Sequence, residues 1–273
     1  MLIEWSDAPG QRMDVNGVGL EYACHGPAPD KAPTIVMLHE GLGCVALWRD
    51  FPARVAARTG MGVLVYSRQG YGQSDPVELP RPIDFMTREA QDVLPHVLDQ
   101  AGIRRCILFG HSDGATITAI YAGTVEDHRV RGLILMAPHF FTEPMGLAEI
   151  EKSGASFETG GLRNRMAKYH RDPEGAFRGW NETWREPRFK SWNVAEVIDY
   201  FRIPVLAIQG RGDQYGTLAQ IEEIETRAYS PVETCILECQ HAPHLEAPEA
   251  VLDAVSEFAA RLERIEAAEV EIG

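Results

Sequence analysis

Ser112 stands between two glycines, in Gly110-His111-Ser112-Asp113-Gly114. The spacing G-x-S-x-G suits a sharp, strained bend that lifts a hydroxyl clear of its surroundings, where it can attack an electrophilic carbon. Side chains at Gly110 and Gly114 would collide with neighbouring backbone in such a bend. A serine hydroxyl is a poor nucleophile without a base, and the base needs a carboxylate to orient it. Further along, Asp213 lies in GRGDQYG, and His241 follows 28 residues later in CQHAPHLEAPE. His244, three residues beyond, is a rival base. Together these types fit acyl transfer to water through a covalent intermediate.

The elements around these residues follow from the apolar pattern. Cys106 to Phe109 reads as a buried strand running into the bend, and the small-residue stretch from Ala115 as a helix leaving it. That helix points its positive end at Ser112, which suits developing negative charge. Thr34–Leu38, Gly62–Tyr66, Val130–Met136, Ile203–Gln209 and Thr234–Leu237 are further apolar runs of strand length. Arg12–Val15 and Leu20–Cys24 flank Asn16-Gly17, a hairpin signal. Helical spacing joins Val45, Trp48, Phe51, Val55 and Ala56, with Gly60 as its stop. It recurs over Ile83–Gln100, where Pro95 predicts a kink, over Thr217–Ala228, and over Pro248–Ala268. Strands alternating with helices predict a mostly parallel, doubly wound α/β sheet of about eight strands. Ligands of such sheets sit beyond the carboxyl ends of the strands. His39, Ser67, Ser112, His139 and Asp213 all follow strand ends.

Five segments carry a resemblance to the α/β-hydrolase superfamily over nearly the whole chain: HEGLG (39–43), SRQGYGQSD (67–75), GHSDG (110–114), IQGRGDQYG (208–216) and CQHAPHLEAPE (239–249). The resemblance implies a cofactor-independent serine hydrolase with Ser112 as nucleophile, His241 as base and Asp213 as its orienting acid. It implies an oxyanion hole from the amides of Asp113 and Gly41. Glu40 departs from the pattern, since the family usually has glycine there. Glu40 could stiffen its loop or place a carboxylate at the site, and the Asp113 side chain carries the same two readings. Arg68 and Ser74 are expected to fix loop structure behind the site. The family's cap is implied for residues 139–201, inserted after the sixth strand into a core formed by 1–138 and 202–273.

The 139–201 segment is rich in aromatics. From Arg163 to Lys190 it carries eight basic residues against four acidic ones. This pattern suggests a pocket for an anionic substrate with an apolar body, contacted by Arg163, Arg165, His139, Trp184, Glu40 and His244. A carboxylic ester is the expected bond, with thioester and amide left open. Carbon–carbon hydrolases of aromatic meta-cleavage products, and slow-turnover ligand receptors of the same fold, are the alternatives that the resemblance brings.

Composition sets the outer bounds. The 273 residues are 45% apolar and 24% charged, enough for a sizeable core. A net charge of −14 argues against nucleic acid or anionic membranes as partners, leaving a small-molecule substrate and room for pairing with a second copy. No apolar run reaches membrane-spanning length, no signal peptide is evident, and five cysteines without framework spacing fit a reducing cytoplasm. No Cys/His spacing suggests a metal.

Overall fold

The computed structural model describes residues 2–272, with side chains described from Leu2 to Ala268. Its eight strands are β1 (Gln11–Val15), β2 (Val18–His25), β3 (Thr34–Leu38), β4 (Gly62–Tyr66), β5 (Cys106–His111), β6 (Val130–Met136), β7 (Val205–Gly210) and β8 (Val232–Leu237). They form one sheet in the order β1-β2-β4-β3-β5-β6-β7-β8. The β1–β2 hairpin pairs antiparallel with itself and with β4, and every pair from β4 to β8 is parallel. The sheet is therefore mostly parallel, as the apolar runs predict.

The period of two along each strand divides the core into two layers. Ile35, Met37, Val63, Val65, Ile107 and Phe109 face α1 (Phe51–Thr59) and α10 (Pro248–Ile272), which contribute Phe51, Val55, Val251, Val255 and Phe258. Val36, Leu38, Leu64, Leu108, Leu133 and Leu135 face the other side, with Leu94, Val97, Ile117, Ile120 and Ile224. Those last residues come from α3 (Leu94–Gln100), α4 (Asp113–Thr124) and α8 (Ala219–Arg227). Burial on both faces is why the central strands read as continuous apolar runs rather than as alternation.

Three local expectations change. The helical pattern from Val45 is broken: a 3-10 turn at Val45–Trp48 is separated from α1, with Arg49 at φ 55° between them. The Ile83–Gln100 pattern is α2 (Phe85–Arg88), a π-helical turn (Glu89–Val93) and α3. The wide turn immediately precedes Pro95, whose missing amide and bulky ring disrupt ordinary helical bonding. Third, α4 begins at Asp113 rather than Ala115, so the nucleophile candidate is itself the cap residue.

Between β6 and β7 the chain forms α5 (Pro144–Glu158), α6 (Gly161–Met166) and α7 (Pro173–Trp184), followed by 3-10 turns at Pro187–Ser191 and Ala195–Tyr200. Its aromatics pack on one another, Phe157 stacking on Phe177 at 3.9 Å and Trp184 meeting Phe189 at 4.6 Å with the rings tilted by 46°.

Candidate active site

The strand β5 ends at His111, and Ser112 bends the chain into α4 with φ 54° and ψ −119°. That is a costly conformation for a residue with a side chain, and it holds only because the surroundings enforce it. A Cβ at Gly110 would meet the Gly114 carbonyl at 2.2 Å, and one at Gly114 would meet the Leu38 carbonyl at the same distance. Only glycine lets strand, bend and neighbouring strand close up this far.

His241 lies in the loop between β8 and the short helix α9 (Pro243–Glu246). Its Nε2 is 3.0 Å from Ser112 Oγ, and its Nδ1 is 2.7 Å from Asp213 Oδ2. The His111 Nε2 atom lies 2.7 Å from the His241 carbonyl and braces the loop. Asp213 follows β7 and is buried. Its Oδ1 accepts from the Tyr215 and Gly216 amides at 2.8 and 3.3 Å, and Oδ2 also accepts from Gln209 Nε2 at 2.9 Å. Burial opposes its charge, but the hydrogen bond and charge of His241, with the Tyr215 amide, win and hold the carboxyl below its ordinary range. An imidazole so held can take a proton from the Ser112 hydroxyl while the carboxylate stabilises the resulting charge.

A cavity of about 100 Å³ opens at this point, lined in part by Gly41, Ser112, Asp113, His139, Tyr215 and His241. The amide of Asp113 is the first of α4 and has no partner within the helix, as at any helix start. Gly41 follows the β3 strand end. Its turn is held from below by buried Arg68, whose Nη1 donates to the His39 carbonyl and whose Nη2 donates to the Glu40 carbonyl at 3.0 Å. The Arg68 amide donates to His39 Nε2 at 3.0 Å, so the His39 proton sits on Nδ1, 2.6 Å from the Glu40 carbonyl. Ser74 donates to the Ser67 carbonyl at 2.6 Å and accepts from the Glu21 amide, which fixes the loop as expected.

Glu40, His139 and Trp184 also line the cavity. Glu40 is half-buried, with Oε2 3.6 Å from His111 Nδ1. Burial disfavours its charge, yet His111 and the more distant His39 and His244 hold its carboxyl well below the usual range. Burial, reinforced by His241, pushes His139 down to about 3 and keeps it neutral. The Asp113 side chain is buried, and its Oδ2 has no hydrogen-bond partner among the described residues.

Three expected contacts are not made. His244 does not reach the cavity. It packs behind it, against Trp48 at 4.7 Å, His111 at 5.0 Å and Phe51 at 5.6 Å, and burial pushes its pKa down to about 3. Arg163 and Arg165 are exposed and absent from the cavity wall, and Arg163 pairs with Glu174 at 2.7 Å. Three further arginines of this segment are likewise paired: Arg178 with Glu174, Arg185 with Glu151 and Arg188 with Glu186. Within residues 139–201 these arginines lie at the surface, while Trp180 and Trp184 lie on the inward face and line the cavity.

The inward face supplies residues that the sequence reading missed. Trp180, one helical turn before Trp184 on α7, lies with its indole nitrogen against Gly41. Its i, i+4 relation to Trp184 was the available signal. Phe141, which its place just after a strand end suggests for the pocket, is on the wall, and Glu143, Leu147, Ile150 and Tyr215, not singled out from the sequence, complete much of it, while Gln209 supports Asp213 from the strand end. Among the described residues, no group of three or more His, Cys, Asp or Glu side chains is placed to hold a metal ion, and no helix is long and apolar enough to cross a membrane.

A mostly parallel eight-stranded sheet, a strained serine at the end of its central strand, and an Asp-supported histidine beside it define the α/β-hydrolase class. The chain belongs to the alpha/beta hydrolase family, whose model matches residues 35–254. A Stutzerimonas stutzeri protein named for carbamate hydrolysis (RutD) is 35% identical over 99 residues, covering 36% of this chain and 35% of that one. A proline iminopeptidase of Lactobacillus delbrueckii subsp. bulgaricus is 28% identical over 110 residues, covering 40% and 37%. The matched segment thus spans little more than a third of each curated relative. Among solved structures, the enol-lactonase of Burkholderia xenovorans LB400 aligns with a TM-score of 0.73 at 20% identity, over 92% of this chain and all of that one. A meta-cleavage product hydrolase of Pseudomonas fluorescens aligns with a TM-score of 0.72 at 18% identity, over 93% and 98%. These two likenesses concern the fold.

Proposed function

We propose that the protein hydrolyses an acyl bond of a small substrate by serine catalysis. Ser112 attacks the carbonyl carbon while His241 removes its proton. The tetrahedral oxyanion is met by the amides of Gly41 and Asp113. His241 then protonates the leaving group, the acyl group remains on Ser112, and water activated by His241 releases it. Asp213 holds the imidazole in the required tautomer and balances its transient charge. The single observation that carries this reading is His241 bridging Ser112 Oγ and Asp213 Oδ2 at 3.0 and 2.7 Å beside a cavity.

A carboxylic ester is the bond proposed. The relatives' names also include carbamate hydrolysis and an iminopeptidase, so an amide is the nearest alternative. A cavity of about 100 Å³ favours a compact acyl group. We assign residues 139–201 the role of a cap whose aromatic face closes over that group. Among the described residues no Lys or Arg lines the cavity, which removes the support for an anionic substrate and with it the main reason to favour a carbon–carbon hydrolase.

The test is labelling with a fluorophosphonate and turnover of short-chain activated esters, in the wild type and in Ser112→Ala. Label on Ser112 and a loss of turnover by at least a thousandfold in the variant are expected. Variant activity within tenfold of wild type would overturn the assignment. A single burst followed by negligible turnover on every ester would favour the receptor reading instead.

A further inference from the structure

Three carboxylates line the cavity, Glu40, Asp113 and Glu143, and among the described residues no Lys or Arg lines it with them. Their partners distinguish them. Glu143 is fully engaged as a clamp: its Oε2 accepts from the Thr217 amide at 2.9 Å and from Gln220 Nε2 at 2.8 Å, and its Oε1 accepts from the Thr217 hydroxyl at 2.7 Å. Glu40 has His111 beside it at 3.6 Å. Asp113 is 1% exposed, and its Oδ2 has no hydrogen-bond partner among the described residues.

A buried acceptor without a partner is expensive, and a buried charge more so. Burial accordingly raises the Asp113 carboxyl above its ordinary range, while the buried guanidinium groups of Arg68 and Arg81, the Trp184 indole and His241 favour its ionised form. No group among the described residues is within hydrogen-bond reach of Asp113 Oδ2, although the Trp184 indole lies near enough to favour its charge. The surrounding walls are aromatic, with Phe141, Trp180, Trp184 and Tyr215, whose faces also favour a cation.

We propose that the cavity selects acyl substrates bearing an ammonium group within a few bonds of the scissile carbonyl, held by the Asp113 carboxylate. Asp113 directly follows Ser112, and both residues line the same cavity. An aminoacyl ester or amide meets this requirement. The inference rests on the serine-hydrolase reading and names the substrate class of that site.

The experiment compares three benzyl esters of matched size: valine, its deaminated isostere 3-methylbutanoate, and the monobenzyl ester of succinate. Each kcat/KM is divided by the rate of hydroxide-catalysed hydrolysis, because an α-ammonium group activates an ester chemically. The valine ester is expected to exceed the neutral isostere at least tenfold after this correction, and the succinate ester to be the poorest. In Asp113→Asn the corrected preference for the amine is expected to fall below threefold. A corrected wild-type ratio within threefold of one overturns the proposal and would mean that Asp113 is satisfied internally, for instance by the Trp184 indole N–H, itself buried and unpartnered. A large ratio that persists in the variant overturns it equally. If Asp113→Asn does not fold, inhibition of neutral-ester turnover decides: 2-methylpropylamine should compete at least tenfold better than 3-methylbutan-1-ol, and equal inhibition sinks the idea. Fluorophosphonate labelling separates the two levels. Label on Ser112 with no amine preference removes this inference alone, whereas no label and no turnover of any ester removes the serine reading and the inference with it.

Discussion

Gln209 Nε2 donates to Asp213 Oδ2 at 2.9 Å, the oxygen that also faces His241 Nδ1. Its second contact, to the Gly216 carbonyl at 3.0 Å, ties it to the loop that carries Asp213. Gln209 thus orients a carboxylate without touching substrate. Gln209→Leu should lower kcat by about tenfold with KM within twofold, a typical cost for a lost supporting hydrogen bond of 1–1.5 kcal/mol. Removing a donor from Asp213 makes its carboxylate more basic, so the acid limb of kcat/KM should move to higher pH. Unchanged kcat with an unmoved limb would mean that Gln209 only fills space.

Asp213→Asn should be far more damaging. The amide cannot enforce the tautomer that leaves His241 Nε2 free to accept from Ser112, and it does not stabilise imidazolium. A loss in kcat on the order of 10⁴ is expected, with the melting temperature little changed. Single-turnover acylation rates would check this, and a loss below a hundredfold would argue that another carboxylate supports His241.

The positions of these residues were unequally visible in the sequence. The bend at Ser112 was legible because its constraint is local: Gly110 and Gly114 are needed by contacts within one strand–turn–helix unit and with the adjacent β3 carbonyl. The central strands were legible because burial on both faces leaves an uninterrupted apolar run. Arg163 and Arg165 were misread because a local excess of positive charge does not say which way a helix faces; Glu174 draws Arg163 outward. His241 and His244 are three residues apart, yet one points at Ser112 and the other packs on Trp48. The rings that receive His244, Trp48, Phe51 and His111, come from segments far away in sequence. Gln209 carried no signal at all beyond being the polar end of an apolar strand.

The two buried histidines predict a pH dependence of stability. Burial lowers both His139 and His244 from 6.5 to about 3. Between those values the unfolded chain binds protons that the folded chain does not, so stability is fully present above 6.5 and is lost as pH falls toward 3. Each group contributes up to about 1.4 kcal/mol per pH unit within that window. His244→Leu, at a site removed from the cavity, should flatten the decline by close to one histidine's share. Urea midpoints measured from pH 7 to pH 4 in both proteins would check it, and parallel curves would show that His244 takes up its proton in the folded state.

Arg68 offers the sharpest test of how the Gly41 turn is held. Its two terminal nitrogens donate to adjacent carbonyls, those of His39 and Glu40, and its side chain lies over Tyr71 at 5.1 Å. A planar fork can span both acceptors at once, whereas an ammonium presents one compact donor group. In Arg68→Lys the positive charge stays in the interior while the turn loses one of its two tethers. The Gly41 amide would then wander from the place where the oxyanion forms, and a displaced donor weakens the transition state more than the ground state. The expected result is a kcat at least tenfold lower with KM within threefold. Arg68→Ala differs in kind, because it strips a buried charge from its surroundings and should cost stability of about 3–5 kcal/mol. If Arg68→Lys keeps kcat within twofold of wild type, the turn is rigid without its fork, and the Gly41 amide is held by β3 and the bend alone.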